Sequence, residues 1–320
     1  MTKLLVVGSV AYDWVETAHG KVEMALGGSA TFFSLTSALF AQTHVVAVVG
    51  EDFRPGDLER MRRRGVDVTG IERVPGQTFR WGGKYSTHFE TRTTLFTELN
   101  VFAAFQPKIG AQAANAECVF LANIHPGLQL SVLDQCRRPR FVAMDTMNFW
   151  ISGEREALAR VLGRVDCVFV NDEEAFALSG VGNLAKAAAL IQAMGPQTVV
   201  IKRGEHGAVL FHAGTAQVLP AVILDNVVDP TGAGDTFAGG FMGYVASQPT
   251  VDHRTLQAAM VVGTLTASHA VQAFSVDGVE ALTLEQLVTR QAQMCSGLLP
   301  TDVAWPIVGR GASVAATGIA

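Results

Sequence analysis

The sequence predicts an α/β fold, a three-layer domain on a mainly parallel central sheet with a small β lid, and three observations predict it. Short apolar, β-branched runs recur at 4–7, 45–49, 118–122, 141–144, 167–170 and 199–201. Helix-like stretches such as 30–40 and 184–194 separate them, and strands alternating with helices imply parallel pairing with both faces of the sheet covered. One segment, 79–95, alternates with period two instead, the pattern of half-buried strands.

Taken in order, the run at 4–7 leads directly into Gly8 and Asp13. It is too short for a secretory or membrane-spanning segment and reads as a first buried strand. In parallel sheets ligands gather at the carboxyl ends of the strands. That rule singles out the polar residues that follow these runs: Asp13, Asn123, His125, Asp145, Asn148, Asn171 and Lys202. In the period-two segment, Phe79, Trp81, Tyr85, Phe89 and Leu95 fall on odd positions, with Arg80, Lys84, His88, Glu90 and Arg92 between them. Gly82 and Gly83 can turn or bulge such a ribbon, and both an edge hairpin and a lid over a site fit the pattern. We place the lid at about 14–26 and 72–105 within a domain of 1–305. Residues 306–320, rich in Gly, Ala and Ser without amphipathic pattern, read as a loosely held tail.

Composition narrows the class. The chain has 320 residues, 49% hydrophobic and 17% charged, with 32 glycines, a balance suited to one large α/β domain with an appendage. A formal net charge of −5 offers no electrostatic footprint for nucleic acid. The densest basic cluster, Arg62, Arg63 and Arg64, reads as a solvated helix face. Four widely spaced cysteines without a C-x-x-C pair argue against a zinc site or disulfide framework and for a reducing cytoplasm. No segment reads as a membrane target.

The chemistry concentrates at 229–237, Asp-Pro-Thr-Gly-Ala-Gly-Asp-Thr-Phe, a loop feeding a helix. Gly232 and Gly234 allow unusual backbone angles and close approach, so successive N–H groups converge at the helix N-terminus, where an anion is favoured. Asp235 would repel that anion unless its charge had a task, and general-base work in phosphoryl transfer is such a task. Capping the helix is the bland alternative; it suits a lone Asp better than one embedded in Gly-Ala-Gly-Asp-Thr. There is no P-loop signature, no third glycine of a dinucleotide fingerprint and no protein-kinase set.

This segment resembles the C-terminal signature of the ribokinase-like (PfkB) carbohydrate kinases, and the resemblance extends over about residues 1–300. It implies Asp235 as general base, with Gly232, Ala233, Gly234 and Asp235 supplying the anion hole, and Thr231 on the nucleotide side. It implies ATP and Mg2+, and often K+ near the loop of Asp225 and Asp229. Gly27-Gly28-Ser29-Ala30 resembles the family's glycine pair, where backbone approaches the sugar, and Asp13 matches the carboxylate that takes two substrate hydroxyls. Asn171-Asp172-Glu173-Glu174 resembles the family's N-x-x-E, which would put Asn171 near the phosphates and Glu174 in the water network around Mg2+. Residues 202–207, with Lys202, Gly204 and Gly207, resemble the next nucleotide-side motif, although many members carry Thr where this chain has Lys202. Gly263 begins the stretch where the family builds its adenine pocket.

The Asp145 to Trp150 stretch resembles a D-x-N motif with one extra residue and no following Arg, and Met144 and Phe149 read as core. His125 is a further pocket candidate, with a satisfied loop histidine as the alternative. The expected activity is ATP-dependent phosphorylation of a hydroxyl on a small neutral sugar or polyol. A nucleoside kinase would keep every phosphate-side motif. A phosphosugar kinase would need further cations such as Arg80, Lys84 and Arg92, and an inactive sugar-binding regulator fits poorly with an intact Gly232, Gly234 and Asp235. Lids of this kind also pair subunits, so a homodimer is a further expectation.

Overall fold

The computed structural model describes residues 3–296; the tail expected at 306–320 lies outside them. Thirteen strands form among the described residues: β1 (Leu4–Val7), β2 (Ala11–Thr17), β3 (Gly20–Gly27), β4 (Thr43–Gly50), β5 (Asp67–Val74), β6 (Phe79–Tyr85), β7 (Arg92–Glu98), β8 (Cys118–Leu121), β9 (Phe141–Asp145), β10 (Cys167–Asn171), β11 (Thr198–Lys202), β12 (Ala208–His212) and β13 (Thr215–Leu219). Nine of them make one sheet in the order β13-β12-β11-β10-β9-β8-β1-β4-β5. All its pairs are parallel except β11 with β12 and β12 with β13.

The apolar runs explain why this sheet is a middle layer. Successive side chains of a strand point to opposite faces, so Leu4 and Val6 of β1 join one buried cluster while Leu5 and Val7 join another. The first cluster is closed by α1 (Ser29–Ser37), with α2 (Pro55–Arg63) beside it. The second is closed by α3 (Pro126–Gln135), α4 (Asn148–Gly153), α5 (Arg155–Leu162), α6 (Asp172–Ser179) and α7 (Leu184–Gln192). Helices α8 (Ala233–Ser247) and α9 (His253–Ala270) complete the first side, followed by α10 (Asp277–Glu280) and α11 (Leu284–Ser296).

Helix α8 sits unusually close to its neighbours because its flanks are glycine. A Cβ on Gly239 would stand 2.5 Å from the Phe33 carbonyl oxygen of α1, and one on Gly240 would stand 2.3 Å from Thr266 Oγ1 of α9. The helix that begins at the signature loop is therefore wedged between two others, and its N-terminus is fixed relative to the sheet.

The lid is a separate four-stranded sheet in the order β3-β2-β6-β7. Strand β5 carries Glu72 to Val74 in the large sheet instead, so the second lid segment starts at Phe79 and not near 72. Its register shifts between Gly82 and Gly83. The pair is tight as well as bulged: a Cβ on Gly82 would meet the Phe96 ring at 2.4 Å, and one on Gly83 the Trp81 ring at 2.1 Å. The single alternation expected over 79–95 ends at Tyr85. After the turn and the bulge the parity changes, so Leu95 is exposed and Phe96 packs edge-on against Trp14 at 5.4 Å between centroids.

Arg62 and Arg63 are exposed, as a solvated helix face should be, while Arg64 Nε donates to the Leu35 carbonyl at 2.9 Å. All four cysteines are free thiols. Among the described residues no helix is long and apolar enough to cross a membrane.

Candidate active site

Of the polar residues singled out by position, Asp145, Asn171 and Lys202 end the central strands β9, β10 and β11, Asn123 follows β8, and Asp13 lies in lid strand β2. The corner that holds Asp13 is built by two glycines. A Cβ on Gly27 would lie 1.9 Å from Asp13 Oδ2, and Gly28, at φ +94°, packs so closely that a Cβ would meet the Ser9 carbonyl oxygen at 2.6 Å. Only glycine fits at Gly28, and a side chain at Gly27 would have to displace the Asp13 carboxylate. The Gly28 N–H donates to the Asp13 carboxylate, while Ser29 pairs with Ser9 through both hydroxyls at 3.1 Å. Burial raises the Asp13 carboxyl to about 8, with the charges of Asp229 and Asp235 adding to the rise and the Gly28 N–H opposing it.

The signature loop is shaped the same way. Gly232 is left-handed at φ +75° and lies flat on the Phe32 ring, where a Cβ would come within 2.4 Å. It occupies the cap position of α8, and no side chain caps the helix. Asp235 stands two residues inside the helix, so the capping role considered for it is not the one it has. Among the described residues, no group accepts the Gly234 N–H. Burial, then the charge of Asp145, raises Asp235 to about 7, while Lys202 and the residue's own N–H pull it down. Upstream, buried Asp229 accepts from the Thr231 N–H at 2.8 Å and from the Ser275 N–H at 3.4 Å; Asp225 is exposed.

Lys202 joins the two halves of the site. It ends β11, and its Nζ donates to Asp145 Oδ2, at the end of β9, at 2.8 Å. A Cβ on Gly234 would be 3.0 Å from the same Nζ, so the ammonium lies at the mouth of α8. Asn171 and Glu174 lock each other in a capping box at the start of α6, with both bonds at 2.8 Å. One Glu174 oxygen is thereby used, and among the described residues nothing donates to the other. Burial and the charge of Asp145 raise this carboxyl to about 7 against the pull of Lys202. A carboxylate oxygen left free on a largely buried side chain fits a group that meets a hydrated Mg2+ through water.

Other expected residues serve the fold. Gly204 and Gly207, at φ +53° and +83°, form the tight turn after β11. Gly263 is buried under the Phe237 ring between α8 and α9, a packing position. His125 caps α3 by accepting the Gly127 N–H at 2.9 Å, and its other nitrogen faces Glu154 at 3.5 Å. Met144 is core as expected, but Phe149 is 66% exposed, because α4 starts at Asn148 and turns that residue outward while Trp150 bonds Asn123 at 2.9 Å.

Three residues gain contacts that the sequence did not foretell. Asp145 holds Lys202. Tyr85 of the lid accepts a hydrogen bond from Thr231 Oγ1 at 3.1 Å. Arg92, over the Trp81 ring at 5.6 Å, acts on both Tyr85 and Glu174. For Tyr85 the alternating ribbon was a usable signal, since it shares a face with Trp81 and, across the paired strands, with Asp13. Two open cavities lie elsewhere, at the amino ends of the strands: about 300 Å³ lined by His44, Thr69 and Lys108, and about 150 Å³ lined by Arg140, Asp166 and His212. Neither brings together an anion cradle and a base.

The family model of the pfkB family carbohydrate kinases matches residues 1–280. The chain belongs to that family. It is 30% identical over 257 residues to a cytidine kinase of Thermococcus kodakarensis, across 78% of this chain and 91% of that protein. Among solved structures it resembles the Methanocaldococcus jannaschii nucleoside kinase, a ribokinase-family member, with a TM-score of 0.72, 18% identity and coverage of 91% and 98% of the two chains. It also resembles the Burkholderia thailandensis nucleoside kinase in complex with inosine, with a TM-score of 0.74, 20% identity and coverage of 91% and 98%. These likenesses establish the ribokinase fold. Kinases of this family use ATP with Mg2+ and act on small sugars or nucleosides.

Proposed function

We propose that this pfkB kinase phosphorylates a ribose hydroxyl of a nucleoside, with ATP as the phosphate donor and Asp235 as the general base. The observation that carries this reading is the placement of Asp235 in the first turn of α8, with a capless helix mouth and the Lys202 ammonium on one side and the Asp13 carboxylate near enough to feel its charge on the other. A base between an anion cradle and a hydroxyl-accepting carboxylate is the arrangement that in-line transfer to an alcohol requires.

Each residue has a part. Asp13, set by Gly27 and Gly28, accepts two hydroxyls of the acceptor and orients the third toward Asp235. Asp235, raised to about 7, is poised to take that proton near neutral pH. The backbone of Gly232, Ala233 and Gly234, with Lys202, receives the negative charge of the group being transferred. Mg2+, when bound with ATP, neutralises phosphate charge, and Glu174 and Asn171 are the residues that would meet its waters and the phosphates. The lid excludes water, which otherwise competes as acceptor.

The acceptor class rests on two supports. The Thermococcus kodakarensis relative is a cytidine kinase matched over nearly its whole length. Trp81, paired in register with Asp13 on the neighbouring lid strand, offers an aromatic surface beside the ribose position on which a planar base can lie. A neutral sugar or polyol, the first expectation from sequence, is the second reading, since the Asp13 corner recognises hydroxyls alone. The test is ATP consumption against cytidine, uridine, adenosine, inosine, ribose, fructose, inositol and sugar monophosphates. Turnover with nucleosides at lower KM than with any free sugar supports the proposal. Turnover confined to free sugars or sugar monophosphates overturns it.

A further inference from the structure

We infer that Asp145 is a positioning residue, which clamps the Lys202 ammonium at the mouth of α8 so that it faces the transferred phosphate without closing on Asp235. The inference rests on the kinase reading above and concerns a residue that touches neither substrate.

Strand order creates the arrangement. Lys202 ends β11, Asp145 ends β9, and β10 lies between them, with Asn171 in register with Lys202 and Phe169 with Asp145. The lysine therefore reaches sideways over the end of β10 to a carboxylate two strands away, at 2.8 Å. That carboxylate is itself held. Its Oδ1 accepts from the Thr146 N–H at 2.7 Å, and Gln129 Nε2 donates to the Ala122 and Asp145 carbonyls at 3.0 and 3.1 Å, tying the ends of β8 and β9 together. Both partners are largely buried, with side-chain exposures of 18% for Lys202 and 8% for Asp145.

The alternative partners explain why a clamp is needed. Lys202 also lies in the fields of Glu174 and Asp235. A buried ammonium takes the nearest carboxylate it can reach, and the long flexible stem of lysine allows it to move. An ammonium paired directly with Asp235 would hold the base in its charged, weakly basic form and withdraw the cation from the phosphate. Asp145 supplies a fixed, competing anion on the far side. The merely structural alternative is a buried ion pair that only stabilises the end of the sheet.

The two differ in a double-mutant cycle on the full chain, with initial rates measured at saturating ATP and varied acceptor. Asp145→Asn is expected to lower kcat about tenfold or more with acceptor KM within about threefold, and Lys202→Met to lower it at least as much. In the Lys202→Met background Asp145→Asn should cost less than twofold, because nothing is left to hold. That double variant also removes both charges of the pair, so neither partner is left buried without the other. If Asp145→Asn does not fold, Asp145→Glu carries the test: it keeps the charge, moves it one methylene outward, and should lose kcat while acceptor KM is unchanged. Wild-type kcat in the Asn variant, or in the Glu variant where that one is used, overturns the inference, as does an equal cost of Asp145→Asn with and without Lys202. If the unmodified protein turns over no acceptor in the panel, the kinase reading fails and takes this inference with it; an active wild type with additive variants defeats the inference alone.

Discussion

Thr231 and Tyr85 are joined hydroxyl to hydroxyl at 3.1 Å. One belongs to the signature loop and the other to lid strand β6, so the lid touches the segment that carries Asp235. Tyr85→Phe removes this bond and leaves the ring. A lost hydrogen bond of this kind costs about 0.5–1.5 kcal/mol, enough to loosen the lid severalfold without unfolding the protein. We expect ATP hydrolysis by water to rise relative to phosphorylation of the acceptor. The ratio of ADP formed to phosphorylated product measures it, and an unchanged ratio would show that the contact does not govern closure.

Asp235→Asn should reduce kcat by roughly 10²-fold or more, since the general base is lost, while ATP binding measured by calorimetry stays within a few fold. The backbone cradle is untouched by this change. A variant with near-wild-type kcat on any good acceptor would remove Asp235 from the role of base.

The raised carboxyls dictate a pH profile. Asp235 must be ionised to accept a proton, and it is held at about 7, so kcat/KM should fall as pH drops below about 7. Asp13, raised to about 8, feels the charge of Asp235, so the acid limb reports apparent values of an interacting pair. Lys202→Met, which removes the opposing cation, should move that limb to higher pH. A limb that stays near pH 4 would mean that neither carboxyl is essential in its charged form.

The same shifts bear on stability. A carboxyl raised on folding favours the folded state fully only below its ordinary value of 3.8, and that advantage is lost as pH rises through about 7 for Asp235 and about 8 for Asp13. Asp13→Asn and Asp235→Asn should therefore raise Tm, more at pH 8 than at pH 5. The gain is on the order of 1–2 kcal/mol each, discounted because Asp235 keeps some contact with solvent. Thermal unfolding at the two pH values tests it, and variants that lose stability equally at both would contradict it.

Two glycines should separate the two substrates. Gly27→Ala drives a methyl into the Asp13 carboxylate, at 1.9 Å before relaxation, and should raise acceptor KM about tenfold or more with ATP KM little changed. Gly234→Val instead presses on Lys202 Nζ, 3.0 Å from the new Cβ, and should damage ATP use more than acceptor binding. Steady-state kinetics on folded variants decides this, and the reverse pattern would exchange the two subsites.

The layered fold was legible because its signals are local: a continuous apolar run such as Leu4 to Val7 can be buried only between two faces, and the structure divides it between two clusters. Asp235 was legible for the same reason, since the residues that shape its surroundings, Gly232 and Gly234, lie within three positions of it. Position and resemblance pointed to ligands at His125, Gly204, Gly207 and Gly263, and the folded chain adds a cap, a turn and a helix interface at those places. Phe149 looked like core until the start of α4 set its direction. The bond from Lys202 to Asp145 spans 57 residues and that from Thr231 to Tyr85 spans 146. Spacing and periodicity name neither partner, although the ribbon's alternation does set the face of Tyr85, because strand order and lid placement bring those side chains together. The sequence alone thus determined a ribokinase fold and singled out Asp235 as the candidate base, through patterns set by neighbouring residues. The clamp on the cation, the latch on the lid and the raised carboxyls came only with the folded chain, because burial and long-range charge depend on which distant strands become neighbours.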